Sequence, residues 1–130
     1  MKVYAIEHVQ LAMPANGEDA ARAFYIGVLG LKEKPKPPHL AERGGVWFEQ
    51  DNLKIHLGVE ADFRPAKKAH PALLVSDLDE LIIHCEQSGA SVVWDEPIEG
   101  FRHAYVHDPF GNRIELMEPE KSEVEIFELL

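Results

Sequence analysis

The feature that most constrains this fold is a repetition, because the chain runs through one order of signals twice. His8-Val9-Gln10-Leu11 is matched by His70-Pro71-Ala72-Leu73, Gly30 by Gly89, and Lys54-Ile55-His56-Leu57 by Arg113-Ile114-Glu115-Leu116. The offset is 59 for the last two pairs and 62 for the first, and a longer loop at residues 14–17 absorbs the difference. Two copies with a period near 60 are too few and too long for a solenoid, so the chain reads as an internally duplicated domain. Each half reads β-α-β-β-β.

In the first copy, residues 4–13 are rich in strand formers and predict a strand with His8 at its centre. Ala21, Phe24, Tyr25 and Val28 fall at helical spacing within residues 18–29, and Gly30 supplies the stop. Pro35, Pro37 and Pro38 make residues 32–39 an extended edge or a loop. Residues 45–50 and 53–58 form a hairpin across Asp51-Asn52, which pairs Gln50 with Leu53 and sets Trp47 opposite His56. The second copy begins with a strand at 70–75. Ser76-Asp77 caps a helix with the apolar stripe Leu78, Leu81, Ile82 and Cys85, and strands follow at 91–94, 101–107 and 112–117. Asp108-Pro109-Phe110-Gly111-Asn112 is a turn, since proline presets φ and Gly-Asn tolerates φ > 0.

Composition bounds the function. A formal net charge of −10 argues against nucleic acid and against anionic membrane surfaces, both of which need a basic footprint. No apolar run approaches 18 residues, and the first residues turn polar at once, so the expectation is a cytoplasmic protein without membrane or secretory segments. A single cysteine, Cys85, excludes an internal disulfide framework and a thiolate-rich zinc site; on the helix stripe it reads as a buried, inert thiol.

The candidate chemistry lies on equivalent strand positions. Duplication pairs His8 with His70 and His56 with Glu115. A lone strand histidine is most often a core or surface group, and a lone glutamate a surface charge. A His/carboxylate set on four equivalent positions is what a metal site on paired sheets needs, and the lack of thiolates suits a catalytic rather than a structural ion. Phe101, His103, Tyr105 and His107 share one face of the penultimate strand, which is either a cavity wall with an acid–base group or a solvent face. Trp47 either walls a substrate pocket or fills the core.

These residues carry a resemblance to the vicinal-oxygen-chelate superfamily, which includes glyoxalase I, methylmalonyl-CoA epimerase, extradiol dioxygenases, fosfomycin-modifying enzymes and bleomycin-resistance proteins. It covers about residues 3–118 and rests on Ile6-Glu7-His8-Val9, Phe24-Tyr25 with Val28-Leu29-Gly30-Leu31, His70-Pro71-Ala72-Leu73-Leu74-Val75, and the run from Asp108 to Leu116. The resemblance implies an α+β fold of two paired βαβββ modules whose eight strands form a curved mixed sheet around a metal cup. It implies one domain over residues 1–118, with modules at about 1–60 and 68–118 and a C-terminal tail at 119–130. The implied ligands of a divalent ion (Zn, Ni, Co, Mn or Fe) are His8, His56, His70 and Glu115, with Glu115 also the catalytic base. Trp47, His103 and Tyr105 are the candidate substrate contacts, and a homodimer is the implied assembly.

One position departs from the glyoxalase I pattern. Bacterial enzymes of that activity alternate His, Glu, His, Glu, whereas this chain has His56 at the second place. A neutral imidazole there makes the ion's site more positive and removes one of two candidate bases. The function implied is a metal-dependent lyase- or isomerase-type enzyme acting on a small molecule with vicinal oxygens. One alternative is an Fe(II) extradiol-type dioxygenase, which needs an open position that a tight His56 ligand would fill. The other is a non-enzymatic, bleomycin-resistance-like dimer that sequesters a cationic ligand.

Overall fold

The computed structural model describes residues 1–120. Of the expected tail, Pro119 closes the last strand, and residues 121–130 lie outside the described residues. The chain divides into two compact units, Met1–Pro65 and Ala66–Leu130.

The first unit contains β1 (Val9–Met13), α1 (Glu18–Tyr25), β2 (Lys32–Lys34), α2 (Pro38–Ala41), β3 (Val46–Gln50) and β4 (Leu53–Val59). Its sheet order is β1-β4-β3-β2, with β1 parallel to β4 and the other pairings antiparallel. The second unit contains β5 (Ala72–Leu74), α3 (Leu78–Gln87), β6 (Val92–Trp94), β7 (Phe101–His107) and β8 (Arg113–Pro119). Its order is β5-β8-β7-β6, again with the first and last strands parallel. The duplication read from sequence is therefore one topology used twice, an α+β fold of two βαβββ modules, each with a four-stranded mixed sheet.

Alternation along the strands divides each sheet into two faces. In the first unit the paired residues Val46–Leu57 and Phe48–Ile55 are almost wholly buried. Ala21, Phe24 and Tyr25 of α1 belong to the same core, and the Tyr25 ring stacks on Phe48 at 5.1 Å. In the second unit Ile114, Leu116, Ala104 and Val106 are fully buried, as are Leu78 and Cys85 of α3, with Ile82 nearly so. Each buried Val, Leu, Ile or Phe side chain among these contributes about 1.5–3 kcal/mol. The opposite face of each sheet is thereby left for polar groups.

Element boundaries differ from the sequence expectation in several places; one is β5, which covers Ala72–Leu74 rather than residues 70–75 and leaves His70 ahead of its strand. The first strand starts at Val9 rather than residue 4, so His8 sits at its entrance and not at its centre. Its partner β4 starts at Leu53, just after the hairpin turn, so the ladder runs out within two residues of Val9. The first helix ends at Tyr25 rather than at residue 29. There the Arg22 carbonyl accepts from both Ile26 and Gly27, and the Phe24 carbonyl from both Val28 and Leu29, which breaks the regular ladder. Gly30 then reverses the chain at φ +76°. Residues 32–39 hold both an edge strand and the start of a short helix: Pro35 follows β2, and Pro38 opens α2, where its missing N–H is harmless.

Candidate functional site

The turn before β8 decides where Glu115 points. Asp108 Oδ1 accepts from the Phe110 and Asn112 backbone N–H groups, each at 2.9 Å, and Oδ2 accepts from Asn112 Nδ2 at 2.9 Å. Gly111 takes φ +92° within it. The turn sets His107 opposite Arg113, and therefore Tyr105 opposite Glu115. A slip of one residue would send Glu115 into the apolar core and expose Ile114 and Leu116. In the observed register Glu115 lies on the polar face, only 8% exposed.

On that face two imidazoles hold the carboxylate. His70 Nε2 lies 2.9 Å from Glu115 Oε1, and His103 Nδ1 lies 2.8 Å from Oε2. Each ring is also fixed at its other nitrogen, His70 Nδ1 on the Lys68 carbonyl at 2.9 Å and His103 Nε2 on the Glu96 carbonyl at 2.6 Å. All the partners are acceptors, so these four contacts require four protons. Two neutral imidazoles and a carboxylate supply two. Two further protons, or a cation standing in for one, complete the array. Tyr105 sets its ring edge-on to His70 and to His103, at 5.4 and 5.8 Å, and Arg113 covers the tyrosine with its guanidinium 3.9 Å from the ring centroid.

The corresponding face of the first unit is built differently. Trp47 pairs with His56 across β3 and β4, as the hairpin turn predicts. The two rings stack at 4.1 Å, and His8 stacks with His56 at 4.4 Å. His56 is 4% exposed, and its Nε2 has no hydrogen-bond partner among the described residues. The Glu49 carboxylate stands 3.5 Å from that nitrogen, beyond ordinary hydrogen-bond distance. Burial holds the pKa of His56 below the ordinary imidazole value, and nearby Glu49 opposes this only in part. Beside His8, Glu7 bridges Lys54 at 2.7 Å and His8 at 3.4 Å.

The sequence-derived residues thus stand as two groups, one per unit. His70 and His103 are linked through Glu115 and Tyr105, and His8 and Trp47 through the His56 ring between them. Among the described residues no set of three His, Cys, Asp or Glu side chains is arranged to enclose an ion. The donor chemistry nonetheless fits one. His70 has Nδ1 anchored on a backbone carbonyl, the arrangement that presents Nε2 to a metal, and that Nε2 faces a carboxylate oxygen. The unpartnered Nε2 of His56 is a second buried donor, and leaving such a group unpaired costs about 1–3 kcal/mol.

Sequence reasoning missed Glu49, which shares the face of Trp47 and His56 by simple alternation. It also missed the Lys68 and Glu96 carbonyls, which leave no signal in side-chain identity. Cys85 is fully buried, and burial pushes its thiol up to about 11, so it is inert as a nucleophile.

Comparison with known proteins gives a consistent result. The profile of a glyoxalase-like domain matches residues 10–117. No protein of curated function matches the sequence. Among solved structures, a protein described as of the glyoxalase family from Bacillus anthracis is 46% identical, with 92% of this chain and 98% of that one covered and a TM-score of 0.86. The fosfomycin resistance protein FosX from Listeria monocytogenes is 16% identical, with 90% and 94% covered and a TM-score of 0.73. A glyoxalase/dioxygenase from Nostoc punctiforme is 21% identical, with 93% and 99% covered and a TM-score of 0.73. At these lower identities the likeness is one of fold.

Proposed function

Because this chain belongs to the glyoxalase-like domain family, we propose that it is a metal-dependent enzyme acting on a small substrate with vicinal oxygens by lyase- or isomerase-type chemistry. The observation that carries this reading is His70, fixed between a backbone carbonyl and the Glu115 carboxylate so that a proton or a cation must lie between Nε2 and Oε1. His70 Nε2 and Glu115 Oε1 would hold a divalent ion in the second unit, and His8 and His56 are the candidate ligands within the first. When bound, such an ion supplies Lewis acidity to two neighbouring substrate oxygens.

The chain's own residues do the rest. In this reading Glu115 Oε1 accepts a proton from a substrate carbon, and His70 Nε2, 2.9 Å away, shares it. Tyr105, held in place by Arg113, lines this polar face beside both groups. In the first unit the His56 ring is stacked between Trp47 and His8. The reading includes a homodimer as the working assembly.

The test is metal content per chain on protein purified without a His-tag or chelator, repeated on Glu115→Ala and His8→Ala. Near-stoichiometric nickel, zinc, cobalt or manganese in the parent, lost in Glu115→Ala and reduced in His8→Ala, is the expected result. Iron accompanied by oxygen uptake with catechols would replace this reading by a ring-cleaving dioxygenase. A parent that takes up no divalent ion, even when one is added, would end the enzyme reading in favour of ligand sequestration.

A further inference from the structure

We infer that His103 is a positioning residue, whose task is to hold Glu115 so that one carboxylate oxygen alone is offered to His70 and to an ion. The inference rests on the metal-dependent reading only for its consequence, not for its geometry.

His103 is 3% exposed and has both ring nitrogens engaged, so it is closed to direct contact with a substrate. Its Nδ1 occupies Glu115 Oε2 and leaves Oε1 directed at His70 Nε2. A glutamate in a strand has three side-chain torsions, and a carboxylate held at one oxygen loses the freedom to swing or to bind through both. The opposite side of the His103 ring is fixed by the Glu96 carbonyl, in the connection between β6 and β7. That connection is itself tied down. Glu96 donates its N–H to its neighbour Asp95 Oδ1 at 2.8 Å, and Ile98 and Phe101 exchange backbone hydrogen bonds at 3.1 and 2.8 Å. The ring therefore links this loop to the carboxylate.

The duplication supplies an internal control. Trp47 and His56 are cross-strand partners, as are Tyr105 and Glu115, so the first-unit position equivalent to His103 is Gly45. That glycine lies just before β3 at φ +85°, where its own backbone excludes a side chain, so the first unit completes its sheet with no counterpart of the His103 ring. Its presence on the strand beside Glu115 is matched to Glu115 and not to the sheet.

The experiment compares the parent with His103→Ala and with His103→Asn, whose side-chain amide reproduces the Nδ1 donor but not the contact to Glu96. Circular dichroism and thermal melting select conditions under which all three are folded. The first readout is the ring ¹⁵N spectrum of the metal-free proteins. The His70 Nε2 signal is expected to shift and broaden in His103→Ala and to return toward the parent in His103→Asn. An unmoved His70 signal in folded His103→Ala overturns the inference, whatever the protein does with metals. The second readout is Co²⁺ titration followed by calorimetry, where loss of a group supporting a ligand is expected to weaken binding by about 10- to 100-fold, partly restored in His103→Asn. Equal Co²⁺ affinity in parent and His103→Ala also overturns it, with the metal reading intact. A parent that binds no Co²⁺ counts against the metal reading, and the ¹⁵N result then decides the positioning role alone.

Discussion

At the scale of single residues, the two units treat equivalent positions in opposite ways. Glu115 has both oxygens engaged, whereas His56, its counterpart, keeps an unpartnered nitrogen under two stacked rings. The consequence for pH follows from the direction of the His56 shift. Its folded pKa is lowered, so the unfolded chain takes up the proton first as pH falls. The stability from burying it neutral is complete above the unfolded value of about 6.5 and is lost as pH drops through the lower folded value. Urea midpoints are expected to fall between about pH 7.5 and pH 5.5, and to fall less steeply in His56→Asn; parallel slopes would remove His56 as the cause. The identity of these residues was legible in the sequence. Their partners were not, since the Lys68 and Glu96 carbonyls belong to every residue type alike and acquire a role only by position.

Turns and caps explain the accuracy of the reading at the scale of elements. The Asp51-Asn52 hairpin, the Asp77 cap and the Asp108 to Asn112 turn each rest on local chemistry, and each forms as expected. Asp77 Oδ1 accepts from the Glu80 N–H, so Asp77→Ala is expected to lower stability by about 1 kcal/mol in denaturant titration. Gly45 is more demanding. It takes φ +85°, and a Cβ there would stand 2.2 Å from the Leu57 carbonyl oxygen. Gly45→Ala is expected to destabilise by more than about 2 kcal/mol, and a loss below 0.5 kcal/mol (about the surface-mutation range) would contradict this geometry. The boundaries that differed at Val9 and Tyr25 were set by a neighbouring strand's end and by shared carbonyls. Neither is visible in a window of local sequence.

For the whole molecule, the duplicated topology and the glyoxalase-like family agree with the reading from sequence. The described residues contain no helix long and apolar enough to cross a membrane. The homodimer in the proposed function predicts a single species near twice the 14.7 kDa chain mass in sedimentation equilibrium. A species at the chain mass over the whole concentration range would remove the dimer from that proposal.

The sequence by itself determined the βαβββ repeat, the parity of each strand and the residues worth suspecting, while the α+β class came from its resemblance to a known superfamily. The first three follow from period-2 alternation, from turn residues with special φ, and from the equivalence of two halves, all of which are local or self-referential. Only the tertiary structure decided that His103 and Glu115 form one hydrogen-bonded unit and that His56 lies between Trp47 and His8. It also decided that Arg102 bridges Asp79 and Glu118. The physical reason is reach. Alternation assigns a side chain to a face, but hydrogen bonds act within about 3 Å, and that distance is set by sheet pairing, rotamer and loop path acting together.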